Sequence, residues 1–243
     1  MAMAVLSAVL FSCVREEMTC DKELIVVQRI GEGGYVYTRG TVISSNTDLK
    51  EETFGLYGSL TPNASVPQPY FNASATVNAD LTATISPLQY WPGLLNASMK
   101  FFSWYPYSDA NAPTASFTDP GEMVLNYTAN ASAANHVDLL AAISGPVWVE
   151  GVNIHFYHTL TKVTFTFKKV APVPDEVIIE KIEFQNVGKS GKLAMTEIPT
   201  TTTKNGKPKF VWSDVATGKV VSTLTDNKTV TEDATLMGDT FLM

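Results

Sequence analysis

The chain is poor in the residues that most often carry catalysis, metal binding and nucleic acid binding. Its 243 residues include two cysteines and three histidines. Lysines and arginines number 17 against 24 aspartates and glutamates, so the formal net charge is -7. Nucleic acid phosphates select basic surfaces, and this balance therefore excludes nucleic acid as a partner. The sequence also lacks an apolar run of about 18 residues, the minimum for a transmembrane helix.

The few motifs that resemble catalytic or ligand sites are incomplete. His155 and His158 are three residues apart, and on a strand they point to opposite faces, which does not suit a shared metal. Gly188-Lys189-Ser190 resembles the end of a phosphate-binding loop, but Glu183 stands where that loop requires a glycine. No Gly-x-Ser-x-Gly nucleophile motif is present. The sequence therefore predicts no enzyme, no cofactor and no metal site.

The dominant pattern is an alternation of apolar and polar residues with a period of two. Between Val163 and Phe167 apolar residues alternate with threonines, which is typical of a strand with one buried face. Similar segments separated by turn residues predict an all-β fold built of β-sandwiches. Asn135–Ile143 is predicted as a short helix and Gly188–Gly191 as a hairpin turn. The other predicted strands are Leu24–Ile30, Tyr35–Ser44, Phe54–Leu60, Leu81–Ile85, Met99–Tyr107, Met123–Tyr127, Val152–Tyr157, Glu176–Val187, Lys192–Ile198, Lys209–Trp212 and Val220–Leu224.

The N-terminal residues resemble a lipoprotein signal. An apolar run ends at Phe11 and is followed by Ser12 and Cys13, a small residue directly before a cysteine. This pattern predicts that residues 1–12 belong to a signal peptide whose natural start lies upstream, and that Cys13 is acylated. The alternative is an N-terminal strand or helix with a buried cysteine.

Two aromatic segments lie near the middle of the chain. Met99–Tyr107 is almost wholly apolar or aromatic, which predicts a buried strand, and Pro106 places its end at a sheet margin. It contains no catalytic group. An alternative interpretation is a sugar-stacking platform, which would make the protein a surface lipoprotein that binds glycans. That platform would consist of Tyr90, Trp91, Trp104, Tyr105 and Tyr107.

A proline-containing segment divides the chain into two predicted domains. Val170–Asp175 holds two prolines among small residues, a composition typical of a short stiff linker. Residues 40–171 are expected to form an N-terminal β-sandwich, preceded by an N-terminal segment at 13–39. Residues 175–243 are expected to begin a C-terminal β-sandwich that is truncated, because the sequence stops within an apolar run.

Several weak motifs follow one another in a defined order along most of the chain. They are Cys13, Tyr37–Gly40, Tyr90–Pro92, Phe101–Pro106, Asp138–Ala141, Ile154–Phe165 and Ile182–Gly188. Together they resemble the fimbrillin-like family, which comprises type V pilins and their tip or anchor subunits.

The resemblance implies a fold, a location and a set of partners. It implies two transthyretin-like β-sandwich domains and export as a lipoprotein to the outer membrane of a Gram-negative bacterium. It also implies a structural, non-enzymatic subunit of a fimbria, with other fimbrial subunits as partners. Receptors and glycans on host or bacterial surfaces are further candidate partners.

The resemblance also implies a mode of assembly. In the family an arginine-specific protease removes an N-terminal segment, and a strand of the next subunit fills the vacated groove. Carried onto this sequence, the cleavage site is Arg39, with Arg29 as the second candidate, and the displaced strand lies within Leu24–Thr38. Tip and anchor subunits can escape processing, and Arg39 is then an ordinary surface arginine. The apolar residues of the displaced strand are Leu24, Ile25, Val26 and Val27.

Overall fold

A computed structural model describes residues 23–32, 43, 45–117, 121–148, 151–170, 176–197 and 209–243. These residues form thirteen strands and two short 3-10 turns, with no α-helix in the ranges given, so the all-β prediction is confirmed. The strands are β1 (Val27–Glu32), β2 (Thr53–Thr61), β3 (Gln68–Val77), β4 (Ala83–Ser86), β5 (Ser98–Tyr105), β6 (Thr114–Ser116), β7 (Met123–Thr128), β8 (Leu140–Val147), β9 (Val152–His158), β10 (Lys162–Phe167), β11 (Ile178–Glu197), β12 (Lys209–Thr229) and β13 (Thr235–Leu242).

Seven strands form a sheet that closes on itself as a barrel, in the order β1-β4-β3-β2-β5-β8-β9. Every neighbouring pair is antiparallel except β1 and β9, which run parallel. The interior is filled by alternate side chains of these strands, as the period-two pattern requires. Phe54 and Phe156, for example, meet edge to face with ring centroids 5.3 Å apart. We refer to this element as the closed sheet.

A second sheet, in the order β12-β11-β7-β6, packs against the outside of the closed sheet. Apolar side chains from both sheets form a separate core between them. Because β5 is therefore covered on two sides, its residues Phe101–Tyr105 are buried without interruption. This explains the continuous aromatic segment and confirms its predicted burial. Members of this core include Tyr57, Phe102, Trp104, Met123, Leu125, Tyr127, Leu193 and Met195.

A third core lies between the β10–β13 pair and the remaining parts of β11 and β12. Phe165, Phe184 and Phe241 meet edge to face in its centre, with ring centroids 5.6–6.0 Å apart. The hairpin of β11 and β12 thus contributes to two cores. Since β11 also pairs with β7, residues before and after the predicted linker share one sheet. The domain boundaries at 40–171 and 175–243 stay a prediction.

The structure corrects two local predictions. Asn135–Ile143 is not a helix: a 3-10 turn covers Ala133–Asn135, and β8 begins at Leu140. The first four residues of β8 are all buried, because its two faces contact different cores, and this hides the alternation of a strand. Gly188–Gly191 is not a turn either, since β11 continues through it to Glu197 with shifts of register beside it.

Candidate functional site

β1 is the strand that closes the sheet, and it lies between β4 and β9. Val27 pairs with Ala83 of β4 on one side and with Val152 of β9 on the other. The Val152 N–H donates to the carbonyl of Val26 at 2.9 Å. Along the β9 side the parallel register continues to the end of β1. Without β1, the described strands would form an open sheet with edges at β4 and β9.

The residues before β1 extend this strand beside the connection between β4 and β5. Leu24 forms an antiparallel bridge with Tyr90. The Ile25 N–H donates to the carbonyl of Gln89 at 2.9 Å, and the Trp91 N–H donates to the carbonyl of Glu23 at 2.8 Å. The strand-like contacts of the N-terminal segment therefore begin at Glu23, the first residue that the structure describes.

Three side chains of this segment lie inside the closed sheet. Ile25 is 2% exposed, and Val27 and Ile30 are fully buried. Leu24 and Val26 point outward. Of the four residues predicted to form the apolar part of the displaced strand, Ile25 and Val27 thus face the core, and Ile30 joins them.

A β-bulge explains why sequence reasoning missed Ile30. The register shifts between Val27 and Arg29, so Gln28 is an extra residue on the β1 side. The inward positions are consequently spaced by two residues and then by three. Strict alternation places residue 29 inside, whereas Arg29 is exposed in the structure.

The remaining predicted site residues have different outcomes. Arg29 lies within β1, paired with Asn153 of β9. Cys13 and Arg39 lie outside the described residues, so the acylation and the cleavage stay predictions. Three of the five residues of the predicted sugar-stacking platform are buried in the structure, namely Trp91, Trp104 and Tyr105. Only two of its five members, Tyr90 and Tyr107, present a ring to solvent.

Among the described residues, buried titratable groups are found around Asp138. Nδ1 of His158 lies 2.7 Å from Oδ2 of the buried Asp138. Burial raises the pKa of Tyr127 to about 12, and the negative charges of Asp138 and Asp109 add to the effect. Such a phenol stays protonated at neutral pH. Within the described residues, no three His, Cys, Asp or Glu side chains group together as metal ligands.

No helix in the described part of the chain is long and apolar enough to cross a membrane.

Comparison with known families identifies the chain. A family model described as fimbrillin-like matches residues 38–241, which is most of the sequence. The chain belongs to the fimbrillin-like family. No curated protein and no solved structure matches it.

Membership places this protein among the structural subunits of cell-surface fimbriae, which associate with other fimbrial subunits. It is a family of pilus subunits rather than of enzymes. The match begins at residue 38, whereas β1 ends at Glu32. The strand that closes the sheet therefore precedes the part of the chain that the family model covers.

Proposed function

We propose that this protein is a fimbrial subunit that assembles by strand exchange at the position of β1. In the precursor β1 fills the space between β4 and β9. After proteolysis β1 leaves, and a strand of the neighbouring subunit takes its place. One observation carries the proposal: the strand that closes the sheet is the first strand of the described residues, and it lies before the residues matched by the family model.

Loss of β1 would leave a site that binds an extended strand. The edges of β4 and β9 would each present unpaired backbone N–H and C=O groups, which bind an added strand. The places of Ile25, Val27 and Ile30 would become apolar pockets that select the incoming side chains. While β1 is in place both features are blocked, which prevents assembly before processing.

The order of residues along the chain favours Arg39 over Arg29 as the processing site. Arg39 follows β1, so cleavage there separates the whole strand from the rest of the protein. Cleavage after Arg29 would leave Ile30 attached and still buried in the closed sheet. Arg29 is also hydrogen-bonded into a strand, and proteases cut exposed, unpaired segments more readily.

The precursor is exported as a lipoprotein and contains two structural units. Acylation of Cys13 anchors the precursor in the outer membrane of a Gram-negative bacterium before processing. The chain comprises two transthyretin-like units, with the first at 40–171 and the second beginning at 175. The separate core around Phe165, Phe184 and Phe241 supports a second unit, although its strand β11 also pairs with β7 of the first.

The experiment compares two arginine variants during limited proteolysis of the precursor. Intact mass identifies the bond that trypsin cuts, and electron microscopy detects fibres. We expect the wild type to be cut after Arg39 and to form fibres, and Arg39→Ala to keep β1 attached to the rest of the chain and to stay monomeric. Arg29→Ala, the matched control, is expected to behave as the wild type. Fibres formed by uncut Arg39→Ala would refute processing at this residue.

A further inference from the structure

The end of the closed sheet where β1 begins carries an exposed apolar surface. Leu95 is 92% exposed, which is the highest value among the exposed large hydrophobic side chains, and Leu88 and Leu94 exceed 50%. Val66, 75% exposed, lies on the connection between β2 and β3. We call this surface the apolar end patch. It consists of Val66, Tyr70, Leu88, Tyr90, Leu94 and Leu95.

Hydrogen bonds hold the segments of the apolar end patch together. The Tyr70 hydroxyl donates to the carbonyl of Tyr90 at 2.9 Å. The Asn63 N–H, in the β2–β3 connection, donates to the carbonyl of Asn96 in the β4–β5 connection at 3.1 Å. The bridge between Leu24 and Tyr90 places the start of the N-terminal strand beside the same surface. The patch is therefore continuous with the end of the space that β1 fills.

The side chains that make up the patch are uncharged, and the exposed Glu23 borders it where the Trp91 N–H donates to the Glu23 carbonyl. Between Glu52 and Lys100 the sequence has one charged residue, Asp80. Asp80 lies in the turn between β3 and β4, where it accepts hydrogen bonds from Thr82. That turn is at the opposite end of β3 and β4 from the patch. An apolar surface of this kind on an otherwise charged protein is typical of an interaction site.

Charge also indicates which partner fits. The chain carries a net charge of -7, so two copies repel one another overall. An uncharged surface is where they can meet without that repulsion. An anionic lipid surface fits poorly, because the patch offers no lysine or arginine to bind it.

We propose that the apolar end patch docks the neighbouring subunit, a second copy of this chain, beside the position of strand exchange. This inference rests on the proposed function. A strand inserted in place of β1 would then be held by its backbone hydrogen bonds and by contact between the two subunit bodies. The patch would slow dissociation of the assembled pair without taking part in strand pairing.

The test separates docking from strand uptake. The variant is Leu94→Ser/Leu95→Ser, since both side chains are exposed and their loss leaves the core intact. Leu236→Ser is the control, because Leu236 is also exposed but lies on β13. Strand uptake is measured on trypsin-treated protein, after the trypsin has been inhibited, with an excess of a labelled peptide of residues 24–32, because the peptide itself contains Arg29. Docking is measured as the rate of polymer growth and as self-association, which is followed by sedimentation at increasing protein concentrations.

We expect the patch variant to take up the peptide like the wild type and to polymerise at least tenfold more slowly. The control should match the wild type in both measurements. Normal polymer growth of the patch variant would overturn the docking inference alone. If wild-type protein takes up no peptide, the proposed strand exchange is refuted. The docking inference is then judged by sedimentation alone. If the wild type self-associates and the double substitution abolishes this, the docking inference is supported. If the wild type does not self-associate, the docking inference is overturned, whether or not the protein binds neutral vesicles.

Discussion

The side chain of Gln28 lies where a Cβ on Gly151 would stand. Gln28 is the extra residue of the bulge in β1, and Gly151 directly precedes β9. The missing side chain at position 151 thus makes room for the bulge. A bulged strand is accommodated between β4 and β9 because the residue directly before β9 is a glycine.

We predict that Gly151→Ala loosens β1. The new methyl group displaces Gln28, and overpacking of this kind lowers stability by about 1 kcal/mol. The measurement is the rate at which trypsin cuts after Arg29 in a folded Arg39→Ala precursor, where cleavage after residue 39 cannot release β1, and this rate should rise. Combining Gly151→Ala with Gln28→Gly removes the clash and should restore the wild-type rate. Equal rates of cleavage after Arg29 with glycine and with alanine at position 151 would mean that the position of Gln28 does not depend on the absence of a side chain there.

Two substitutions in the N-terminal segment should have very different effects on stability. Ile30→Ala removes a fully buried side chain and should lower the free energy of unfolding by about 2–5 kcal/mol. Val26→Ala, a matched control on the outer face, should change it by no more than about 0.5 kcal/mol. Urea denaturation of the precursor measures both. Similar values for the two variants would show that β1 is not part of the core.

His136 ties the last strand to the middle of the chain. The Leu242 N–H donates to Nδ1 of His136 at 2.9 Å, so Nε2 carries the proton and donates to the carbonyl of Asn130 at 2.9 Å. Burial lowers the pKa of His136; the hydrogen bond to the Asn130 carbonyl and the charge of Asp239 oppose this shift, and Lys189 adds slightly to it. Protonation of Nδ1 would remove the acceptor that holds Leu242.

This geometry predicts a loss of stability in mild acid. The unfolded imidazole has a pKa of about 6.5 and the folded one a lower pKa, so the unfolded state binds more protons between the two values. Stability is therefore complete above about pH 6.5 and falls as the pH drops below it. His136→Asn keeps an acceptor for Leu242 and cannot be protonated. Urea denaturation at pH 7.5 and 5.5 should show a smaller difference in this variant. An unchanged difference would assign the effect to other groups.

Two histidines of β9 provide another matched comparison. His158→Ala removes the imidazole that faces the buried carboxylate of Asp138, and leaving such a buried acceptor without its partner costs about 1–3 kcal/mol. His155 is exposed on the opposite face of the strand, and His155→Ala should have little effect. Thermal and urea denaturation compare the two. If His155→Ala lowers the stability more than His158→Ala does, the contact between His158 and Asp138 does not stabilise the fold as we predict.

Sequence alone predicts the strands whose two faces differ. In β9 the buried Val152, Ile154 and Phe156 alternate with exposed residues, and this strand was predicted within one residue of its observed bounds. In β8 both faces are buried, so the alternation is lost and a helix was predicted instead. β3 was missed because several of its inward residues, such as Ala73 and Ala75, are too small to stand out from their polar neighbours.

The candidate site was predicted in part for the same physical reasons. The apolar run at Ile25 and Val27 was visible in the sequence, whereas the bulge that brings Ile30 inward depends on pairing with β9. Neither the parallel pairing nor the closure of the sheet leaves a local pattern. The apolar end patch is also hidden, because its connections are far apart in the sequence and meet only in the folded chain.

The most direct test of strand exchange is a reversible lock on β1. Arg29 and Asn153 are paired neighbours on the outer face of the closed sheet. Arg29→Cys/Asn153→Cys, in a background with serine at positions 13 and 20, is treated with trypsin in oxidised and reduced form, and fibres are counted by electron microscopy. Our account predicts that cleavage after Arg39 yields no fibres while the disulfide holds β1 and that reduction releases β1 and restores them. Equal fibre formation in the two forms would contradict it, because assembly would then proceed with β1 in place.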